Sequence, residues 1–340
     1  IIANIDYNLI DNYKNILSSV IGIRNFIIAI EIDLDINQIK QTAFELLKNK
    51  NQKSSFRISS RRQNKRFKLN SQEINTLVGN YVGSKTSMKV NLNNPKYNII
   101  IEIVNEKAFV GCNKYDAFGG LPVGSGENAL SLISAGIDSP VASFNILKRG
   151  VNLNYIHFHS SPITNRQSVY NVHRIVKELC KYQLDCTLYL FPLIEIQNKI
   201  MDLVDSKYWV IMFRRSMMKI SSIIAIQNNY KVLVTGDNIG QVASQTLSNI
   251  VAISEASKVP IIRPLAGYNK EDIVNQAIDI GTYQISIEPY DDCCSFFLPP
   301  NPETKAYLNR IKGIEEKINL NDIIKLELEN IEKKEIRYYE

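Results

Sequence analysis

Histidine is nearly missing from this sequence, with three in 340 residues, and tryptophan and cysteine are scarce at one and five. His157 and His159 share one face of a predicted strand, but with His173 as the remaining histidine and no acid or thiol nearby in sequence, zinc is disfavoured. The five cysteines, Cys112, Cys180, Cys186, Cys293 and Cys294, are odd in number and lack zinc spacing. They argue against a disulfide framework and a metal site, and leave individual thiols available for chemistry. No apolar run approaches the roughly 20 residues that cross a bilayer. The opening "IIANIDYNLIDNYK" has neither a basic leader nor a small-residue cleavage site, so the expected setting is cytoplasmic, with no membrane partner. There is no initiator Met, as expected if residues are missing upstream. Excess charge is small too: 40 Lys and Arg against 34 Asp and Glu give +6, compatible with a polyanionic partner and too mild to demonstrate one.

With 45% of its residues apolar, the chain can bury one large core or two to three smaller ones. Residues 1–30 read as a strand, a helix ("NLIDNYKNILSSVIGI") and the beginning of the strand "NFIIAIEI", too little apolar surface for an independent domain and therefore a partial segment. Over 31–116, a helix with Ile39, Ala43, Leu46 and Leu47 on one face, the alternating "SSFRISS", and two or three strands within "MKVNLNNPKYNIIIEIVNEKAFVGCN" predict an α+β unit. Its densest positive field is "RRQNKRFKLN", where Arg61, Arg62, Lys65, Arg66 and Lys68 surround Phe67 without an acid. A solvated loop has this composition, and so does a surface that contacts a nucleic-acid backbone. The glycine-rich "AFGGLPVGSGEN" marks a linker over 117–128. From 129 to 340 strands and helices alternate, from "ALSLIS" and "SPVASFNILKRG" to "PIIRPL" and "NKEDIVNQAIDIG", ending in a charged helical tail. That pattern predicts βαβ units, a parallel sheet covered on both faces, and ligands at the carboxyl ends of its strands.

The first strand of this second domain runs into Ser134-Ala135-Gly136-Ile137-Asp138-Ser139 and then a helix, whose free N–H groups suit a phosphate. A plain strand-to-helix turn with Asp138 as N-cap would also fit. The six residues resemble the SGGxDS loop of PP-loop ATP pyrophosphatases, with Ala135 in place of a glycine, so the backbone at 135 is expected to need no positive φ. Five ordered segments, "SAGIDSPVASFNILKRG", "IHFHSSP", "FRRSMMKI", "VTGDNIGQVASQTLSNI" with "ISEASKVPIIRPL", and "IGTYQISIEPYDDCCSFF", resemble the tRNA 4-thiouridine synthetases (ThiI) over roughly 127–300. The resemblance implies an α/β, parallel-sheet PP-loop domain of the adenine nucleotide alpha hydrolase type over 129–340. It also implies an α+β THUMP RNA-binding domain over 31–116 and a partial ferredoxin-like segment before it.

Carried over by matching motif, the resemblance implies nucleotide contacts at Leu132, Ile133, Ser134, Gly136, Ser139, His157, Phe158, Arg214, Gly236 and Gln245. Phe158 could face a purine ring and Gly236 would let the ligand approach closely. Arg214 would neutralise phosphate charge, with a helix-surface pair to carboxylates as the plainer reading of Arg214 and Arg215. Asp138 would hold Mg²⁺ or orient the phosphates, and Lys270 matches a family active-site lysine. Cys294 aligns with the family's active-site cysteine, Cys293 is the fallback, and a pair of buried structural cysteines is the plainer reading. Asp291 and Asp292 should raise a neighbouring thiol's pKa, so activation would need Lys or Arg brought in by the fold.

The implied activity is ATP-dependent thiolation of uridine 8 in tRNA: adenylation of uracil O4 with release of pyrophosphate, then displacement of AMP by sulfur from a persulfide. Sulfur supply to the thiazole of thiamine is a second implied role. The implied cofactors are ATP and Mg²⁺, and the implied partners are tRNA, a cysteine desulfurase or other persulfide donor, and a second copy in a homodimer. No rhodanese-like segment follows "DDCC", so sulfur is expected straight from the donor. Two other readings fit the residues. One is another PP-loop base-thiolating or adenylating enzyme, although the spread of cysteines disfavours iron–sulfur types. The other is a non-catalytic tRNA-binding protein with a degenerate loop.

Overall fold

The computed structural model describes residues 1–339 apart from 292, 294 and 295, and the chain divides into two units between Gly119 and Gly120. The first unit begins without the expected strand. Residues 1–6 are irregular, and a 3₁₀ turn, Tyr7–Leu9, leads into α1, Ile10–Ser19. The extended stretch after it is two strands, β1 (Asn25–Phe26) and β2 (Ala29–Asp33). Then follow α2 (Ile36–Lys48), β3 (Ser55–Arg62), α3 (Ser71–Lys85), β4 (Lys89–Val90), β5 (Tyr97–Val104), β6 (Lys107–Cys112) and β7 (Tyr115–Asp116). Five strands form a mixed sheet in the order β2-β6-β5-β3-β4, while β1 and β7 pair separately.

Helix α3 falls where the sequence pattern shows no element. Its start is specified locally, because the Asn70 side chain accepts from the Glu73 N–H and the Glu73 carboxylate accepts from the Asn70 N–H, a reciprocal cap. Ile74, Val78 and Val82 of α3 and Ile39, Ala43 and Leu47 of α2 meet Ile99, Ile101 and Ile103 of β5 in one core, so alternate residues of β5 face the helices. The basic segment is partly strand: Arg61 and Arg62 end β3 and pair with Glu102 and Ile103 of β5. Arg62 is half-buried and donates to the Phe67 carbonyl at 2.6 Å, and Phe67 packs against the core. Arg61, Lys65, Arg66 and Lys68 are exposed.

The second unit contains β8 (Asn128–Leu132), α4 (Asp138–Leu147), β9 (Asn152–His159), α5 (Gln167–Gln183) and β10 (Asp185–Pro192). It continues with α6 (Ile194–Leu203), α7 (Trp209–Gln227), β11 (Leu233–Val234), α8 (Leu247–Ser254), β12 (Ile261–Ile262), α9 (Lys270–Asp279) and α10 (Tyr283–Ser286). Its last elements are α11 (Leu308–Lys317), α12 (Leu320–Glu327) and β13 (Glu332–Arg337). The sheet order is β12-β11-β8-β9-β10-β13, with the first five strands parallel and β13 antiparallel to β10. The chain's end is therefore not a purely helical tail. It closes the sheet with a charged edge strand whose buried residue is Ile336, an arrangement that discourages further pairing.

The strands run outward from β8 in both directions, β9 and β10 to one side and β11 and β12 to the other. The loop after β8 thus lies at the switch point where α/β sheets open a crevice. Helices cover both faces, with α4, α5 and α9 packed together on one and α6, α7, α8 and α12 around Leu130, Ile156, Phe158 and Phe191 on the other. Among the described residues no helix is long and apolar enough to cross a membrane.

Candidate active site at the switch-point loop

Serines hold the loop from Ser134 to Ser139 in shape. The Ser134 N–H donates to Ser139 Oγ at 2.8 Å, Ser139 Oγ donates to the Ser134 carbonyl at 3.2 Å, and Ser143 Oγ donates to the Ser139 carbonyl at 2.8 Å. Ala135 is buried and, like Gly136, has no positive φ, so the substitution of the pattern's first glycine costs nothing in backbone strain. Asp138 is not the cap of α4: Ile137 occupies the N-cap without a side-chain bond, and Asp138 and Ser139 begin the helix, followed by Pro140. Pro in the first turn lacks an N–H that the helix could not have used, and the remaining early N–H groups form an anion-binding terminus.

Asp138 instead takes part in a charged contact across the loop. Its carboxylate accepts from Lys270 Nζ at 2.6 Å and from Gln241 Nε2 at 2.9 Å. Lys270 is the first residue of α9, where the helix dipole disfavours a cation, and the Asp138 carboxylate offsets that cost. At Gly236, just after β11, the fold itself leaves no room for a side chain. A Cβ there would lie 2.8 Å from Ser139 N and 2.9 Å from Ser139 Cα, so the backbone of α4 itself fills the space.

Arg214, on α7, is mostly buried and pairs with Asp237 while donating to Ser244 Oγ at 3.1 Å. Asp237, next to Gly236, also accepts from Arg263 Nε at 3.1 Å and Thr235 Oγ1 at 2.9 Å. Burial would raise its pKa, but the two guanidinium groups and the Thr235 hydroxyl hold it at about 2. Arg215 faces away from this group: buried, it binds Glu315 through two nitrogens and Glu255 through one, tying α7 to α8 and α11. Asp237, Arg263 and Gln241 were not among the sequence candidates. The acid in "VTGD" was the available signal, and the partners that give it meaning come from distant segments.

The neighbouring strand ends supply the rest. The Ile133 N–H donates to the Ile156 carbonyl, and the buried His157 lies 3.0 Å from the Ile133 carbonyl through Nδ1 and 3.4 Å from Ser168 Oγ through Nε2. His157 thus braces the loop with its side chain. Phe158 is 5% exposed and its ring packs on Phe191, so the side chain belongs to the core. Leu132 packs against the same core. Gln245 ends a 3₁₀ turn with its Oε1 buried and, among the described residues, without a hydrogen-bond partner, an acceptor suited to an amine or hydroxyl of a ligand. Cys294 lies outside the described residues. Cys293 is buried in the main core of the unit.

A parallel sheet with a serine-braced loop and helix N-terminus at its switch point, preceded by an α+β unit with a basic edge, defines a PP-loop enzyme carrying a THUMP unit. Family models agree with both halves: "Thiamine biosynthesis protein (ThiI)" matches residues 124–320 and "THUMP domain" matches 34–113. The chain belongs to the ThiI family. It is 39% identical over 310 residues to a probable tRNA sulfurtransferase of Brevibacillus brevis, spanning 91% of this chain and 78% of that protein. Identity to the probable tRNA sulfurtransferase of Coxiella burnetii is 38% over 327 residues, 94% and 83% of the two chains. Among solved structures, a 4-thiouridine synthetase in complex with RNA and ATP superposes with a TM-score of 0.88 at 34% identity, covering 98% of this chain and 88% of that one.

Proposed function

We propose that this protein is an ATP-dependent tRNA sulfurtransferase that converts uridine 8 to 4-thiouridine. The observation that carries the reading is the Asp138–Lys270 contact at the start of α4, which sets an acid and a base at the mouth of a switch-point anion site. ATP would lie with its phosphates toward the N-terminus of α4 and the Lys270 ammonium, and with its base near the ends of β8 and β9 and Gln245. Among the described residues no three His, Cys, Asp or Glu side chains converge to hold a metal by themselves. Mg²⁺ would therefore be carried on the ATP phosphates, with Asp138 as its protein carboxylate, and would supply charge neutralisation there.

Uracil O4 is a poor leaving group, and adenylation makes it a good one. O4 attacks the α-phosphorus, pyrophosphate departs, and Arg214, oriented by Asp237, stabilises the charge that develops on the phosphate. The terminal sulfur of a persulfide on Cys294 then attacks C4, and AMP leaves with the C4–O bond's electron pair. A second thiol cleaves the persulfide S–S bond, leaving 4-thiouridine and a disulfide that an external thiol reduces. The sulfur would come from a cysteine desulfurase or another persulfide donor. Arg61, Arg62, Lys65, Arg66 and Lys68 would contact the tRNA backbone, and the protein would assemble as a homodimer. Sulfur supply to the thiamine thiazole is a second outlet for the same persulfide.

Replacing Asp138 tests the reading. Asp138→Ala should abolish thiolation while tRNA affinity, measured by filter binding, stays near wild type; a fully active variant would overturn the assignment.

A further inference from the structure

Gln197 is an amide on the apolar face of α6, buried with Ile194, Ile196 and Ile200 and fully shielded from solvent. A buried amide is tolerated when both ends are hydrogen-bonded. Ser160 Oγ donates to Gln197 Oε1 at 2.6 Å, and Gln197 Nε2 donates to the Cys293 carbonyl at 2.8 Å. A carbonyl only accepts, so the orientation of the amide is fixed by this partner. Ser160 is itself buried and directly follows β9, the strand that ends in His157, Phe158 and His159. The bridge therefore connects the crevice end of β9 to the backbone carbonyl of Cys293.

We propose that Gln197, oriented by Ser160, is a positioning residue for the sulfur-transfer half of the reaction. It fixes the Cys293 carbonyl so that the cysteine pair and the adenylated base meet in register. The inference rests on the sulfurtransferase reading given above. Cys293 is the core-packed member of the pair and the one whose carbonyl Gln197 holds, while the sulfur-carrying role of Cys294 is the one that the family resemblance implies. Adenylation needs no thiol, so the bridge should matter to one half of the reaction and not to the other.

The experiment uses the full chain with tRNA, ATP, a cysteine desulfurase supplied with cysteine, and dithiothreitol. Adenylation is read as label transferred from α-labelled ATP to tRNA without sulfur donor, and thiolation as 4-thiouridine formed with it. Gln197→Met keeps the volume and removes both hydrogen bonds. It should adenylate at the wild-type rate and lose thiolation kcat by about ten- to a hundredfold, the range expected when a reacting group is misplaced by about 1 Å. Ser160→Ala removes one bond and should give a smaller loss in the same half. Gln197→Glu adds a readout that a merely structural role would not move. Its buried carboxyl, protonated at about pH 6, can still donate to the Cys293 carbonyl, and ionisation as pH rises removes the donor, so thiolation should recover at low pH and fail at high pH. Thiolation at the wild-type rate in Gln197→Met, or equal losses in both halves, would overturn the proposal. A wild-type protein that neither adenylates nor thiolates would instead overturn the parent reading.

Discussion

At the scale of single residues, the site depends on groups whose meaning lies in their partners. Asp237 is buried and pairs with both Arg214 and Arg263, and removing it would take away the carboxylate that these two guanidinium groups share. Asp237→Ala should destabilise the second unit by about 3–5 kcal/mol, the range for breaking a buried pair on one side, as measured by denaturant unfolding. Its depressed pKa sets the sign of a pH effect. The stabilising contribution is complete above the unfolded pKa of about 4 and is lost as pH falls through about 2. Acid titration of Asp237→Asn should lack this component of wild-type destabilisation. Gly236 makes a steric prediction. Gly236→Ala would press a methyl into the Ser139 backbone, costing about 1–3 kcal/mol in thermal unfolding and weakening ATP binding in calorimetric titration. Of these residues the sequence shows Gly236 and Arg214, because their motifs are linear. It does not show Asp237 as their link, because 23 positions separate Asp237 from Arg214.

At the scale of elements, the strands and helices of the second unit are legible because each βαβ segment carries its own period. Two elements are not. Helix α3 buries only Ile74, Val78 and Val82, with Leu77 exposed and glycines at 79 and 83, so its periodicity is weak, and the signal that remains is its Asn70–Glu73 cap. Asn70→Ala should cost about 1 kcal/mol in the first unit, measured by thermal melting. Strand β13 is hidden by its charge, since Ile336 is its buried residue and "EKKEIR" reads as a solvated run. Its role as an edge appears once β10 is seen beside it. Ile336→Asp should free β13, expose the edge of β10, and increase aggregation in light scattering.

At the scale of the whole molecule, the proposed function places recognition and chemistry in different units. Three of the exposed cations, Arg61, Lys65 and Arg66, belong with Lys68 to the first unit, and the switch-point loop to the second. Reversing these three charges should weaken tRNA binding and lower the slope of log affinity against log salt by roughly 1 per lost phosphate contact, with ATP binding unchanged. The two-unit plan is legible at sequence level from the composition shift over 117–128, while the bracing of the loop by Ser139, Ser143 and His157 required the fold. The central claim is that ATP cleavage at the loop after β8 makes a uracil oxygen replaceable by sulfur. Mass spectrometry of nucleosides from tRNA incubated with this protein, ATP and a persulfide donor tests it most directly. The account predicts 4-thiouridine at position 8, formed only with ATP; tRNA that stays unmodified while the folded protein holds ATP would contradict it.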